Sequence, residues 1–350
     1  MENLFEDESL NNSDESSNSI NKENTKDLYW KINFEKELLF WDTIVLQTLV
    51  YQPNICPKCK LPTYKIYKKQ SKDILNPYYI KCTRSACQKR ESLRKYSILN
   101  LAKLIPASII YEIIILFIIE KKNAKEIEFK LKDMYPVIPN YNTILKILTN
   151  TRKIIAEYLK YSYKLSQIGG DPETERTVAI DETLITHSNG NQIWLIGAID
   201  TTNHNIRLDV LPDRNSENIK IFITNHIIPG TNITHDGWLG YNCLDDDDSV
   251  WTHETHNHGA GDFGQGTHST SHIEGYWGFL KAVLKKLYPI FPNNNYIYYI
   301  REGEFRTKIS DKPKQKIISI LLKMFKIVYE YCQFEFSSEE DILNFENYDY

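Results

Sequence analysis

The 350-residue sequence lacks a hydrophobic run long enough to span a membrane. Its most apolar stretch, Ser108 to Ile119, is too short and contains Glu112, so it predicts a buried helix. The N-terminus is acidic and polar where a secretory leader would be basic and then apolar, and we therefore expect no signal peptide. These absences favour a protein that is neither secreted nor membrane-bound, and that is nuclear in a eukaryote and cytoplasmic otherwise.

A net excess of positive charge is also missing, because the formal net charge is −4. The charge is nevertheless unevenly distributed. Residues 1–28 carry eight acids against two lysines, whereas residues 56–104 carry thirteen Lys or Arg against only Asp73 and Glu91. So dense a basic block is typical of a polyanion-binding surface, although a solvated charged face has the same composition.

Cysteines are few, and four of the six form two close pairs. Two residues separate Cys56 from Cys59, and four separate Cys82 from Cys87. Without a secretory leader, close cysteine pairs hold metal more often than they form disulfides. A short knuckle brings two thiolates to bonding distance of a tetrahedral zinc ion. The spacing therefore favours a zinc ribbon that depends on Zn²⁺ for its stability, the alternative being four unconnected cysteines.

Changes in composition divide the chain into consecutive segments. The prediction is a disordered acidic N-terminus (1–28), a helix (29–50), the zinc-ribbon module (51–98), a helical region (99–165), an α/β unit (175–310), a C-terminal helix (311–335) and an acidic tail (336–350).

The helical region contains signals for two helices separated by prolines. Asn123 is suited to cap a helix that begins at Ala124, and a second helix runs from about Tyr141 to Tyr161. The second carries Arg152 and Lys153. The pair is compatible with a DNA-binding helix-turn-helix and equally with an ordinary helix pair.

The α/β unit opens with three β-rich stretches, E-R-T-V-A-I-D-E-T-L-I, Q-I-W-L-I-G-A-I-D-T-T and H-N-I-R-L-D-V-L-P. A helix over Asn215 to Ile228, a short strand over Thr231 to Asp236 and a helix over His272 to Leu287 follow, with a loop region before the last helix. This order predicts a mixed sheet flanked by helices.

Three acids occupy the ends or edges of these elements. Asp181 lies inside the first strand, Asp236 ends the fourth, and Glu274 opens the last helix. Carboxylates suit hard divalent cations, and two such ions can drive an in-line phosphoryl displacement. The alternative is that these are ordinary acids, since a helix dipole favours Glu in a first turn without any catalytic role.

Seven ordered blocks resemble the catalytic domain of the Merlin superfamily of DNA transposons and its bacterial insertion-sequence relatives. They are I-D-E-T (180–183), W-L-I-G-A-I-D (194–200), L-P-D-R-N (211–215), I-I-P-G-T-N-I-T-H-D-G-W (227–238), H-E-T-H-N-H (253–258), H-S-T-S-H-I-E-G-Y-W-G-F-L-K (268–281) and E-F-R (304–306).

The resemblance implies an RNase H-like DDE transposase domain over residues 175–310, with a zinc ribbon before it as in related transposases. It implies that Asp181, Asp236 and Glu274 are the catalytic acids and hold Mg²⁺ or Mn²⁺. The implied activity is cut-and-paste transposition of terminal inverted repeats into target DNA by a homo-oligomer. Two alternatives remain, a domesticated DNA-binding protein without catalysis and a nuclease without strand transfer.

Several basic side chains and histidines are candidates for contact with double-stranded DNA. They are His253, His258, Lys281, Lys68, Lys69, Arg84, Lys89 and Arg90. The two histidines are alternatively structural hydrogen-bonding groups, and Lys281, seven residues after Glu274 on the same helix face, is alternatively a solvated lysine.

Overall fold

The computed structural model describes residues 33–71, 73–136, 138–170, 176–186, 192–246, 248–256, 266–289, 291 and 295–332. The predicted acidic N-terminus and C-terminal tail, and His258, lie outside the described residues. The chain forms two compact units. Of the described residues, those up to Thr151 and those from Lys314 form one unit, and those within Arg152–Pro313 form the other. None of the helices in the described part of the chain has the length and apolar character that a membrane crossing requires.

The first unit begins with helix α1 (Phe34–Phe40), which continues as a π-helical segment, Trp41–Leu49. The side chain of Asn33 caps the helix by accepting hydrogen bonds from the backbone N–H groups of Glu35 and Lys36. Trp41, Val45 and Leu49 recur every four residues and are buried, so one stripe of the helix packs into the core.

The ribbon is a three-stranded antiparallel sheet in the order β1 (Tyr64–Lys68), β2 (Tyr78–Cys82) and β3 (Arg90–Ser92). Two short 3₁₀ turns, Leu93–Tyr96 and Ile98–Ala102, follow it.

Arg94, in the first of these turns, is a cation of the basic block that solvent does not reach. Its guanidinium donates hydrogen bonds to the carbonyls of Leu75, Leu99, Ala102 and Ile105. Because Arg94 is only 2 % exposed, it joins the ribbon to the following segment and is not available to a ligand.

Four helices complete the first unit: α2 (Ala107–Ile118), α3 (Ala124–Met134), the N-terminal part of α4 (Tyr141–Leu165) and the C-terminal α8 (Lys314–Tyr331). Helix α2 is the predicted buried helix. The predicted start of α3 is confirmed, because Asn123 and Glu126 form a reciprocal capping box there. Helix α4 starts as predicted but is 25 residues long, and the boundary between the units lies within it.

The second unit is built on a five-stranded sheet in the order β6–β5–β4–β7–β8. Its strands are β4 (Thr177–Thr186), β5 (Gln192–Asp200), β6 (Ile206–Leu211), β7 (Asn232–His235) and β8 (Thr252–Thr255). Strands β4 to β6 form an antiparallel meander, whereas β7 runs parallel to β4, and β8 parallel to β7. The first four strands match the prediction. The expected loop before residue 270 contains β8, whose four polar residues give no alternation to detect.

Helices cover both faces of this sheet. Helix α5 (Ser216–His226) packs on the face that bears Val178 and Ile180, and α6 (Ser271–Leu287) on the face that bears Ala179. Helix α7 (Tyr296–Ile309) packs beside α6 and was not predicted as a helix. Most of its positions are buried, including Arg301, Glu302, Glu304 and Arg306, so it lacks the polar stripe that marks an amphipathic helix.

The charges of α7 are neutralised inside the unit. Glu302 is fully buried and accepts hydrogen bonds from Arg152 Nε at 2.8 Å, from Arg306 Nε at 2.6 Å and from the Tyr288 hydroxyl. Although burial opposes its ionisation, Arg306 and Arg152 hold the pKa of Glu302 below its ordinary value. Arg152, which sequence placed on a helix suited to DNA readout, is therefore an internal ion-pair partner.

A second buried network lies around Glu304, two residues further along the helix. Glu304 is fully buried and contacts Arg301 Nη1 at 2.9 Å, Lys308 Nζ at 2.8 Å and the Tyr163 hydroxyl. Two paired carboxylates thus occupy what is otherwise an apolar layer, and removing one partner of either network leaves an uncompensated charge.

We expect Glu302→Ala to destabilise the second unit by about 3–5 kcal/mol, because Arg152 and Arg306 would stay buried without their counter-charge. Urea unfolding followed by tryptophan fluorescence measures this, since Trp194, Trp238, Trp251 and Trp277 all lie in this unit. Asp246→Ala, which removes an exposed ion pair with Lys220, is the matched control and should change stability little. Equal effects of the two substitutions would contradict the assignment.

Candidate active site

Asp181 lies in the middle of β4 on the face covered by α6. Its Oδ2 accepts a hydrogen bond from the indole Nε1 of Trp277 at 3.1 Å. On the neighbouring strand β5, the residue paired with Asp181 is Gly197. A Cβ at Gly197 would come within 2.5 Å of the Trp277 ring, so only glycine allows the indole to lie against the sheet there.

Asp236 directly follows β7, the parallel neighbour of β4. Its Oδ1 accepts the backbone N–H of Trp238 at 2.9 Å, which closes a tight turn. Gly237 between them has φ +81, and a Cβ there would also meet Thr255 at 2.5 Å. The D-G-W sequence thus needs its glycine to place the Asp236 carboxylate at the strand end.

Glu274 lies in the first turn of α6 and is exposed. Its Oε1 lies 3.4 Å from the hydroxyl of Thr270. Trp277, which contacts Asp181, is three residues further along the same helix, so α6 carries Glu274 at the end that approaches β4. Among the described residues, these three carboxylates do not form a group with all ligand oxygens within 4.8 Å of one another.

Asp181 is electrostatically strained. Burial raises its pKa to about 7, and the charges of Glu182 and Asp236 add to this effect. Within the described part of the chain, no lysine, arginine or histidine forms an ion pair with it. A buried carboxylate that is repelled by a neighbouring carboxylate is the arrangement that a bound cation would stabilise.

Glu182 points to the opposite face and has a different environment. It accepts hydrogen bonds from Arg214 Nη2 at 2.9 Å and from the Tyr241 hydroxyl. The Arg214 guanidinium lies 4.2 Å from the ring centroid of Trp194 and 4.1 Å from that of Trp238. Sequence reasoning did not assign a role to these residues, although the adjacent acids of I-D-E-T and the arginine of L-P-D-R-N were visible signals.

A chain of hydrogen bonds reaches the turn that holds Asp236. The backbone N–H of Gly237 donates to His235 Nδ1 at 3.1 Å, which leaves the proton of the neutral ring on Nε2. His235 Nε2 then donates to His253 Nδ1 at 3.0 Å, and His253 Nε2 donates to Asp245 at 3.1 Å. Burial lowers the pKa of His235 to about 4, in agreement with a neutral ring.

This series of hydrogen bonds bears on the interpretations of His253 and of the loop before α6. Both ring nitrogens of His253 have partners inside the protein, which favours the hydrogen-bonding alternative over DNA contact. Asp245 is exposed and is the last member of this series of hydrogen bonds. Lys281 is exposed on α6, as either of its interpretations requires.

The ribbon candidates for DNA contact separate into two groups. Lys68 pairs with Asp42 at 3.4 Å, Lys69 with Asp73 at 2.6 Å, and Lys89 with Glu91 at 3.5 Å. Arg84 and Arg90 are exposed and have no carboxylate partner among the described residues.

The four paired cysteines converge. The Sγ atoms of Cys56, Cys59, Cys82 and Cys87 all lie within 4.8 Å of one another. Cys56 lies 3.7 Å from Cys87, and Cys59 lies 3.8 Å from Cys82. Four sulfurs bonded to one Zn²⁺ at about 2.3 Å would be about 3.8 Å apart, so the geometry fits. The backbone N–H of Leu61 lowers the pKa of Cys59 to about 6, which favours the thiolate that zinc requires.

An antiparallel meander joined to two parallel strands, with helices on both faces, defines an RNase H-like fold for the second unit. This confirms the fold class predicted from the sequence.

Residues 168–308 match the family model of the ISXO2-like transposase domain. The matched stretch contains Asp181, Asp236 and Glu274, and it supports a transposase-type nuclease or strand transferase. The curated proteins provide no match to the chain.

Among solved structures, the chain is similar to the human T-cell lymphotropic virus 2 integrase catalytic core domain in complex with magnesium. The identity is 15%, the TM-score is 0.24, and the match covers 44% of this chain and 86% of that one. It is also similar to a chain of the simian T-cell lymphotropic virus intasome in complex with the PP2A regulatory subunit B56 gamma, at 16% identity and TM-score 0.26, over 45% and 50%. These TM-scores are too low to support a fold assignment, which rests instead on the strand order of the sheet.

We expect Asp181→Asn to stabilise the metal-free protein at neutral and alkaline pH. The pKa of Asp181, about 7 against an ordinary 3.8, means that the folded state keeps a proton which the unfolded chain has lost. Stability therefore falls as the pH rises from about 4 to about 7 and stays low above it. Asparagine keeps the acceptor for Trp277 without the charge.

Thermal unfolding in buffer without Mg²⁺, Mn²⁺ or chelator measures this. A shift of this size corresponds to about 4 kcal/mol, and we take about half of it because Asp181 is partly exposed to solvent. At about 2–4 °C per kcal/mol, the expected gain at pH 8 is roughly 4–8 °C. The gain should vanish near pH 4. Asp209→Asn is the matched control, because His226 and Arg301 hold the pKa of Asp209 below its ordinary value against the effect of burial, and it should lose stability. A loss for Asp181→Asn at pH 8 would refute the argument.

Proposed function

We propose that this protein is a DNA transposase whose catalytic carboxylates are Asp181, Asp236 and Glu274. The observation that carries the proposal is the uncompensated carboxylate of Asp181 beside Asp236, at neighbouring parallel strands of an RNase H-like unit. Glu302 and Glu304, which each lie between two cations, have lowered pKa values, whereas Asp181 has a raised one. A strongly perturbed acid outside any ion pair is typical of a functional site.

The donor set fits a hard divalent cation, because all three candidate ligands are carboxylates. We propose that they hold Mg²⁺ or Mn²⁺, which when bound would activate the attacking oxygen and stabilise the leaving oxygen of a phosphodiester. The chain itself orients these groups. Trp277 fixes Asp181 by its hydrogen bond, and the Gly237 turn fixes Asp236. Glu274 stands on a helix end where its negative charge is favoured.

In the proposed reaction, hydrolysis at each element end frees a 3′-hydroxyl, which then attacks target DNA in the same site. The partners would be terminal inverted repeats and target DNA, and the protein would self-associate to pair two ends. The ordered sequence blocks support the more specific proposal that the protein belongs to the Merlin superfamily.

We also propose that Cys56, Cys59, Cys82 and Cys87 bind a Zn²⁺ ion that stabilises the ribbon.

We expect the purified protein to contain a stoichiometric amount of zinc, released by a strong chelator together with loss of the ribbon fold. Cys59→Ala should abolish zinc retention, because three thiolates hold the ion less tightly than four. Cys332→Ala, at a cysteine outside the cluster, is the control and should keep zinc. Metal analysis by mass spectrometry reads the outcome, and zinc retained by Cys59→Ala would refute the site.

We expect Asp236→Ala to abolish cleavage of a labelled terminal repeat in Mn²⁺ or Mg²⁺. The loss should be about a thousandfold or more, since several kcal/mol of transition-state stabilisation would disappear. Asp246→Ala, an exposed acid paired with Lys220, is the matched control and should cleave like the wild type. Equal cleavage by Asp236→Ala and the wild type would mean that the site is wrongly assigned.

The same assay tests the alternatives. A wild-type protein that binds the repeat but never cleaves it would be a domesticated DNA-binding protein. Cleavage without joining to a target would indicate a nuclease of the same fold.

A further inference from the structure

One face of the ribbon sheet, which we call the outer sheet face, presents cations and tyrosines. Because paired strands place opposite residues on the same side, the register assigns it two rows. Lys65, Lys81 and Arg90 form one row across β1, β2 and β3. Tyr67, Tyr79 and Ser92 form the other.

Among the described residues, no acid forms an ion pair with this row of three cations. Like charges directly opposite each other on neighbouring strands destabilise a sheet. Only Asp73 and Glu91 are acidic in the basic block, and both are engaged elsewhere. Asp73 pairs with Lys69. Glu91 lies on the inner face and binds Lys95 and the Tyr64 hydroxyl. An unbalanced row of this kind fits a polyanionic ligand.

The two tyrosines of the second row stack on each other. The rings of Tyr67 and Tyr79 are stacked with centroids 5.6 Å apart and an angle of 20°. The Arg90 guanidinium lies 3.6 Å from the Tyr79 centroid. Tyr79 thus has Tyr67 and Arg90 as stacking partners, while Tyr67 on the edge strand β1 is 37% exposed and ends the stack. A flat group is able to extend the stack at Tyr67.

We propose that the outer sheet face binds unpaired DNA, with phosphates on Lys65, Lys81 and Arg90 and a base stacked on Tyr67. Aromatic rings beside a basic track are the arrangement by which proteins hold single strands without reading their sequence. A duplex keeps its bases stacked on one another, so it would use the cations but not the exposed ring. The inference deepens the proposed function by naming the DNA form that the ribbon contacts, and it rests on that function only for its biological setting.

Fluorescence anisotropy of the full-length protein tests this, with labelled oligothymidylate and a duplex of matched length as probes and no added Mg²⁺ or Mn²⁺. Tyr67→Ala should weaken binding of oligothymidylate by about fivefold or more and leave the duplex within about twofold. Tyr67→Phe keeps the ring and should bind like the wild type. Joint Lys65→Ala and Lys81→Ala should reduce the slope of log affinity against log salt by about 1.4 for the single strand.

Lys69→Ala is the control, because Lys69 already pairs with Asp73. Thermal unfolding of each variant verifies that the protein stays folded. Unchanged oligothymidylate binding by Tyr67→Ala, or an equal loss on both probes, would overturn the proposal. The assay measures binding and not cleavage, so a catalytically inactive carboxylate site would not change the oligothymidylate result. In the same way, a negative binding result would not affect the cleavage experiment with Asp236→Ala.

Discussion

The contact between Trp277 and Asp181 links the core of the second unit to its chemistry. The indole packs across Gly197 among the apolar residues of β5 and α6, and its only polar atom donates to the carboxylate. Burying Trp277 therefore brings the first turn of α6, with Glu274, to the strand that bears Asp181. A larger residue at position 197 would displace the helix and the acid together.

The second unit buries carboxylates in two different ways. Glu302 and Glu304 each lie between two cations, and their pKa values are lowered. Asp181 lies beside other acids, and its pKa is raised. In the first arrangement each charge is compensated inside the unit, whereas the second costs stability. A protein retains such a cost at a position where a ligand or a reaction uses the charge.

The sequence predicts the elements with a clear period or cap well. Strands β4 to β7, helix α6 and the start of α3 at Asn123 follow from local patterns. Strand β8 and helix α7 do not, because β8 is four polar residues stabilised by pairing with β7, and α7 buries its charges in pairs. The local sequence pattern indicates which apolar residues are buried. It therefore does not predict strands and helices that are stabilised mainly by contacts with distant residues. Arg152 shows the same limit, since only the fold reveals Glu302 beside it.

The ribbon shows why composition locates a binding surface only coarsely. Arg94 is buried, and Lys68, Lys69 and Lys89 have acidic partners, so four cations of the basic block already have partners within the protein. The cations without such partners on the outer sheet face become visible only when strand register places Lys65, Lys81 and Arg90 in one row. Polyanion affinity depends on cations that can release counterions to the ligand. The strand register therefore identifies which cations of the basic segment lie together on one face and are available to DNA.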